Sequence, residues 1–263
     1  KNLFRSQAAL QKSFSRLSSG HRINSAADDA AGLAISESMR TQIRSYVVAE
    51  RNASDAISMT QTAEGALGEM HSILGRLREL AMQGSNGSMT ATDRGYLSTE
   101  FSALQAEMTR IQASSKFNGK SLLSATASSL TFQVGLNNTA SDKVTLTFGG
   151  LGLTTLLAAT TNLSGAGTTA SLTALGRIDS ALATISTSRA RFGAAMNRFE
   201  VVTSSIQTMR LNLSAANSRI RDVDVAEETS ALARNQVLSQ AGVAVLAQAN
   251  QLPQLALSLV GGG

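Results

Sequence analysis

A mainly α-helical fold, with long antiparallel helices in a coiled-coil-like bundle and a β-hairpin at one end, is predicted by three features of this sequence. From Tyr46 to Ala81 the residues Tyr46, Ala49, Ala53, Ala56, Thr60, Ala63, Leu67, Met70, Leu74, Leu77 and Ala81 recur at unbroken steps of three and four. Such a run is a seam on a helix, and holding it over this distance requires a partner that supercoils with it. The chain has only 1 proline in 263 residues, so long helices can run uninterrupted. Between the helical stretches the apolar period drops to two, which is the mark of strands.

The partner for the first seam lies near the other end of the chain. Leu175, Ile178, Leu182, Ile185, Phe192, Met196, Phe199, Ile206, Leu213 and Ile220 fall on one heptad register, with Arg189, Thr203, Arg210 and Asn217 as its polar members. A shorter third seam, Leu97, Phe101, Leu104, Met108 and Ile111, lies between them. Small residues early in the first seam allow close approach, and Leu67, Leu74 and Leu77, with Met70 on the same seam, are expected to face the C-terminal seam near Phe192, Met196 and Phe199.

Taken in order, residues 1–19 read as a helix with Leu3, Gln7, Leu10, Phe14 and Leu17 on one face, stopped by Gly20. Ser25 followed by Asp28 is a capping-box signature, and Asp28 and Asp29 sit where a helix dipole favours negative charge. The next helix therefore runs from Ser25 to about Gln83, roughly 85 to 90 Å, until Gly84-Ser85-Asn86-Gly87 breaks it. A further helix after Thr92 reaches about Ser114, and Phe117-Asn118-Gly119 is a turn. Leu130, Phe132 and Val134, then Val144, Leu146 and Phe148, alternate with polar residues across an Asn137-Asn138-Thr139 loop, so about 130–148 is a β-hairpin with one buried face. The Gly-, Ser- and Thr-rich stretch 149–173 reads as a short connection or surface loop. The last stretch, 222–260, carries Leu238, Ala241, Val245, Leu252, Leu255 and Leu259 on one stripe, with Pro253 placed to bend or end the helix. This terminal helix and the one at the N-terminus can form a small separate layer, and the apolar surface they leave uncovered belongs to an interface.

Composition excludes several functions. The chain is 43% hydrophobic but only 4% aromatic, with no tryptophan, which suits slender helical layers. Its 0 cysteines remove disulfides, thiol catalysis and thiolate metal sites. A net charge of +5, with basic residues interleaved with acids, points to a solvated helical surface and to no nucleic-acid partner. No stretch is long and apolar enough for membrane insertion. His21 and His71 lack a second ligand at metal spacing, and no serine or threonine has a base partner, so neither a metal nor any other cofactor is expected and the chain is not an enzyme.

The residues themselves resemble bacterial flagellin. The carrying motifs are Arg16-Leu17-Ser18-Ser19-Gly20, Arg22 through Gly32, Glu64-Gly65-Ala66-Leu67, Leu77-Arg78-Glu79-Leu80-Ala81, Phe117-Asn118-Gly119 and Phe132-Gln133-Val134-Gly135. The C-terminal part adds Arg189-Ala190-Arg191-Phe192-Gly193, Asn197-Arg198, Leu213-Ser214-Ala215-Ala216, Ser218-Arg219-Ile220-Arg221-Asp222 and Val245 through Gln251. They occur in the family's order and cover nearly the whole chain. The resemblance implies a secreted, extracellular filament subunit with 1–24 as part of an inner-core helical layer and its connector, 25–221 as an outer-core bundle, and 222–263 as the C-terminal inner-core helix. It implies a helical homo-oligomer assembling through Leu238, Val245, Leu252 and Leu255, with a flagellar export chaperone and cap or junction proteins as further partners. Starting inside the usual N-terminal helix, the chain is expected to lack the segment that carries export information in flagellins, and 149–173 stands where larger flagellins insert surface domains. A binding module, such as a cell-surface homologue recognising a polysaccharide or a junction protein, is the alternative.

One further expectation rests on the resemblance. In the heptad lettering, Arg76 and Leu80 fall off the seam, four residues apart on one exposed face, and Glu100 lies off the third stripe. By themselves they read as a surface arginine, a seam-flanking leucine and a solvated acid. They match the flagellin positions that contact the host's flagellin-sensing Toll-like receptor, although Gly75 replaces a more usual polar residue beside them.

Overall fold

A computed structural model of the chain describes residues 2–153, 163 and 168–260. Among these it contains five long helices: α1 (Asn2–Ser19), α2 (Ala30–Gly84), α3 (Ala91–Ser114), α4 (Thr168–Arg221) and α5 (Val225–Val260). Two short antiparallel ladders lie between α3 and α4: β1 (Lys116–Phe117) with β2 (Lys120–Ser121), and β3 (Ser128–Gln133) with β4 (Lys143–Phe148). The chain divides into two compact units, residues 45–208 and residues 1–44 with 209–263, and the division falls inside α2 and α4 rather than at the connectors.

In the unit 45–208, the seam of α2 is buried along its length. Ala53, Ala56, Ala63, Leu67, Met70, Leu74, Leu77 and Ala81 have no exposed surface, and Thr60 is equally buried because its hydroxyl bonds the Ala56 carbonyl at 2.7 Å. Opposite it α4 contributes Ala174, Ile178, Ala181, Ile185, Phe192, Phe199 and Ile206, and α3 contributes Phe101 and Met108 to the same core. A polar ladder fixes the antiparallel register of α2 and α4. Gln207 reaches Glu50 at 2.8 Å, Arg189 reaches Glu64 at 2.7 Å and Arg78 reaches Asp179 at 2.8 Å. These rungs correct the expected pairing. Met70 through Leu77 lie level with Ile178–Ile185 and Leu67 lies between Ile185 and Phe192, whereas Phe192 and Phe199 lie level with the earlier part of the α2 seam, where its alanines leave room for aromatic rings. There Phe192 packs on Phe148 of β4 at 5.4 Å and Phe199 on Phe132 of β3 at 5.6 Å, edge to face. Met196 is half-buried.

The hairpin β3–β4 has the expected place and period. Leu130 pairs with Leu146 and Phe132 with Val144 on the inner face, while the Ser129–Thr147 and Thr131–Thr145 hydroxyls pair on the outer face at 2.9 and 3.1 Å. Asn118 and Gly119, both at positive φ (46° and 78°), form the two-residue turn between β1 and β2. The stretch read as a surface connection is not wholly superficial, because Leu151, Leu153 and Leu163 are core residues. Their side chains supply the apolar surface that makes a solvent-facing path unfavourable. Helix α4 begins inside that stretch, at Thr168, while 154–162 and 164–167 lie outside the described residues.

The start of α2 also differs from the expectation. Asp28 does not open the helix; its carboxylate accepts the Asn24 and Ser25 N–H groups at 3.3 Å and closes the turn before it. Asp29 is the cap, accepting the Gly32 N–H at 2.8 Å through its side chain and the Leu33 N–H at 3.0 Å through its carbonyl. The end of α2, one residue past Gln83, falls at the glycine of the breaker cluster. Thr90 then caps α3 in a reciprocal box with Asp93. Helix α5 continues through Pro253, which therefore does not end it.

Candidate functional site

Two surfaces emerge from this scaffold, and the first belongs to the unit 1–44 with 209–263. Gly20, at φ +71°, ends α1 and turns the chain into an extended stretch that meets the connector between α4 and α5. Arg22 donates its N–H to the Arg221 carbonyl at 2.6 Å, Val223 donates to the Gly20 carbonyl at 3.1 Å, and the Arg22 guanidinium bonds the Ile220 carbonyl at 2.7 Å. His21 Nδ1 stands 3.3 Å from Asp222 Oδ1. Ile23, 2% exposed, is the buried plug of the joint, and Gly32 is required beneath it, since a Cβ there would lie 2.8 Å from Ile23 Cδ1 and 2.4 Å from Asp29 Oδ2. Lys12–Asp28, Arg16–Glu228 and Arg221–Glu37 ion pairs tie the flanking helices to it. The Lys12 ammonium, with the Asn24 and Ser25 N–H groups, holds the Asp28 carboxyl down at about 2. The motifs Arg22–Gly32 and Ser218–Asp222 are thus two halves of one joint.

Beyond the joint α1 and α5 pack together, antiparallel, since Arg16 reaches Glu228 while Leu3 meets Gly242. Asp224 caps α5 by accepting the Ala226 N–H at 2.9 Å. Two helices cannot enclose their own apolar faces. Phe4 is 80% exposed, Val245 67% and Leu238 53%, and Phe14, Val237, Val243 and Leu246 are exposed with them. Leu3, Leu238, Ala241, Gly242 and Val245 line an open groove of about 660 Å³. Leu252 and Leu255 lie on α5, but their side chains are outside the described residues.

The second surface lies where α2 and α3 run side by side. Arg76 donates from Nε to Glu100 at 2.8 Å and from Nη1 to Glu79 at 2.9 Å, so one guanidinium bridges both helices. Glu100 first, and Glu79 after it, raise the Arg76 pKa and keep it cationic. Arg76 and Glu100 are about half exposed. Leu80 does not join them on an exposed face: at 1% exposure it is a core residue. The third helix, α3, closes over the flank of α2 and turns a position off the two-helix seam into a position inside a three-helix core. Removing Leu80 would therefore disturb packing as well as any surface. Among the described residues no group of histidines and carboxylates is placed to hold a metal ion, and no helix is long and apolar enough to cross a membrane.

The arrangement defines a mainly helical structural protein whose terminal helices pair and leave an apolar face uncovered. Residues 1–128 match the bacterial flagellin N-terminal helical region and 175–260 match the bacterial flagellin C-terminal helical region. A flagellin of Halalkalibacterium halodurans is 45% identical over 250 residues, covering 95% of this chain and 91% of the relative. A flagellin of Bacillus subtilis is 42% identical over 285 residues, covering 96% and 93%. The crystal structure of Bacillus cereus flagellin superposes with a TM-score of 0.52 at 32% identity, over 64% of this chain and 94% of that one. The chain belongs to the bacterial flagellin family, the structural proteins of the flagellar filament.

Proposed function

We propose that this flagellin is secreted and self-assembles into the extracellular filament through α1 and α5, with 1–24 and 222–263 forming the inner layer and 25–221 the outer bundle. The observation that carries the proposal is the row of large apolar side chains, Phe4, Phe14, Leu238 and Val245, that the α1–α5 pair leaves exposed. Burying such side chains against neighbouring subunits gains roughly 1.5 to 3 kcal/mol for each one fully covered. Leu252 and Leu255 extend the same stripe by spacing, and the export chaperone and the cap and junction proteins would use the same helices. Electron microscopy and sedimentation test this: the chain should form filaments, and Leu238→Asp with Val245→Asp should leave it monomeric with unchanged helix content. Filaments formed equally well by the double variant would remove these residues from the interface. A monomer that instead bound polysaccharide would establish the binding-module reading.

The half-exposed Arg76–Glu100 pair supports a second role, as ligand of the host flagellin-sensing Toll-like receptor. The guanidinium is held across two packed helices and so presents a preorganised charge to a partner. Leu80 would serve this face from below, by fixing α2 against α3. Arg76→Ala with Glu100→Ala should weaken receptor signalling by the monomer while leaving its melting curve close to wild type. Signalling equal to wild type at matched concentration would return both residues to the surface.

A further inference from the structure

The turn between α2 and α3 holds a group that neither surface uses. Asn86 and Gly87 are exposed, and a Cβ at Gly87 would meet nothing within 4 Å, so no neighbouring group crowds the Gly87 backbone. The Gly87 N–H donates to none of the described residues. The Asn86 side-chain oxygen, by contrast, accepts the Ser88 N–H at 3.1 Å. The rest of the turn is pinned: Asn86 donates to the Gln83 carbonyl at 3.1 Å, Met89 donates to the Asn86 carbonyl at 3.3 Å, and the Thr90–Asp93 box fixes the far side.

We propose that Asn86 is a self-modifying site, converting in the folded chain to a mixture of aspartate and isoaspartate. The Gly87 backbone nitrogen, losing its proton to solvent base, attacks Asn86 Cγ and forms a C–N bond. The departing Nδ2 takes a proton back from the solvent, the Cγ–Nδ2 bond breaks, ammonia leaves, and a five-membered succinimide remains. Water then opens either carbonyl of that ring, giving aspartate or, when the backbone carbonyl is attacked, isoaspartate. In the addition step negative charge develops on Asn86 Oδ1, and the Ser88 N–H is already placed on that oxygen, as donors are in an oxyanion hole. Glycine at 87 has no side chain to shield the attacking nitrogen. Either product adds a carboxylate just beyond the C-terminus of α2, where the helix dipole disfavours it, at the rim of a groove lined by both Arg78 and Glu79.

The chain contains its own control. Asn118-Gly119 is the same dipeptide, also exposed, but it is clamped in a two-residue turn between paired strands with Asn118 at φ +46°, and none of the described residues donates to its side-chain oxygen. The test is to incubate the folded full chain in mildly alkaline buffer and follow both peptides by mass spectrometry, with isoaspartate scored by enzymatic methylation. Asn86 should be lost several-fold faster than Asn118, with isoaspartate among its products. The two rates should converge when the chain is held unfolded in guanidinium, and Gly87→Ala should slow the loss at 86 several-fold. Equal or faster loss at Asn118 in the folded chain, a ratio unchanged by unfolding, or aspartate formed without isoaspartate would each overturn the proposal.

Discussion

Leu74→Ala tests the bundle at its centre. Leu74 has no exposed surface, and it sits between the Arg189–Glu64 and Arg78–Asp179 rungs, so α2 and α4 are held in register on either side of it. The substitution removes three carbons, which at about 0.8 kcal/mol each costs about 2.4 kcal/mol in transfer free energy. The pinned helices cannot fully collapse onto the void, and at about 24 cal/mol per Å³ a residual cavity of about 50 Å³ adds about 1.2 kcal/mol. The expected loss is therefore about 3 to 4 kcal/mol. Urea unfolding followed by circular dichroism, with native-state hydrogen exchange at 45–208 to locate the effect, measures it. Gln61→Ala, at an exposed position of the same helix, should stay within about 0.5 kcal/mol of wild type. A Leu74→Ala loss no larger than that of Gln61→Ala would refute the burial of the seam.

Three more outcomes are expected. Leu80→Ala should lower stability by about 2 to 5 kcal/mol by the same measurement, whereas Arg76→Ala, which removes an exposed charge four residues away, should leave the unfolding midpoint near wild type. Asp28→Asn should lower the melting temperature at neutral pH. The native carboxyl sits at about 2, below the ordinary carboxylate range, so its stabilisation is present above about pH 4 and lost as the pH falls toward 2. The gap between the variant and wild type should close across that window, and a gap that persisted at the acid end would show that the Lys12 pairing is not its cause. Gly149→Ala should be destabilising by more than the roughly 1 to 2 kcal/mol of a left-handed residue. Its φ is +74°, and the new Cβ would lie 2.5 Å from the Thr126 carbonyl and 2.8 Å from the Ser124 carbonyl, both backbone atoms with little freedom to retreat. Thermal unfolding that matched wild type would refute that close approach.

The sequence by itself determined what depends on local period and on strong punctuation. The α2 seam was legible from Tyr46 to Ala81 because three-and-four spacing is a property of one helix and needs no partner to be counted. Gly20, the Gly84–Gly87 breaker, the Asn118-Gly119 turn and the two alternating strands were legible because each forces a local backbone conformation. What the tertiary structure alone decided depends on distances between segments far apart in the chain. Heptad lettering describes contact with one partner helix, so it could not show that α3 covers Leu80, nor that α2 and α4 pair with Leu74 opposite the isoleucines instead of the phenylalanines. The phenylalanines go to the hairpin because the alanine stretch of α2 leaves space there, and that space exists only once three elements meet. The same limit hid the Arg189–Glu64 and Arg78–Asp179 rungs and the joint between Arg22–Gly32 and Ser218–Asp222, whose halves are about 200 residues apart. An ion pair or a cap between such segments leaves no periodic trace in either one, because its partner is chosen by the fold.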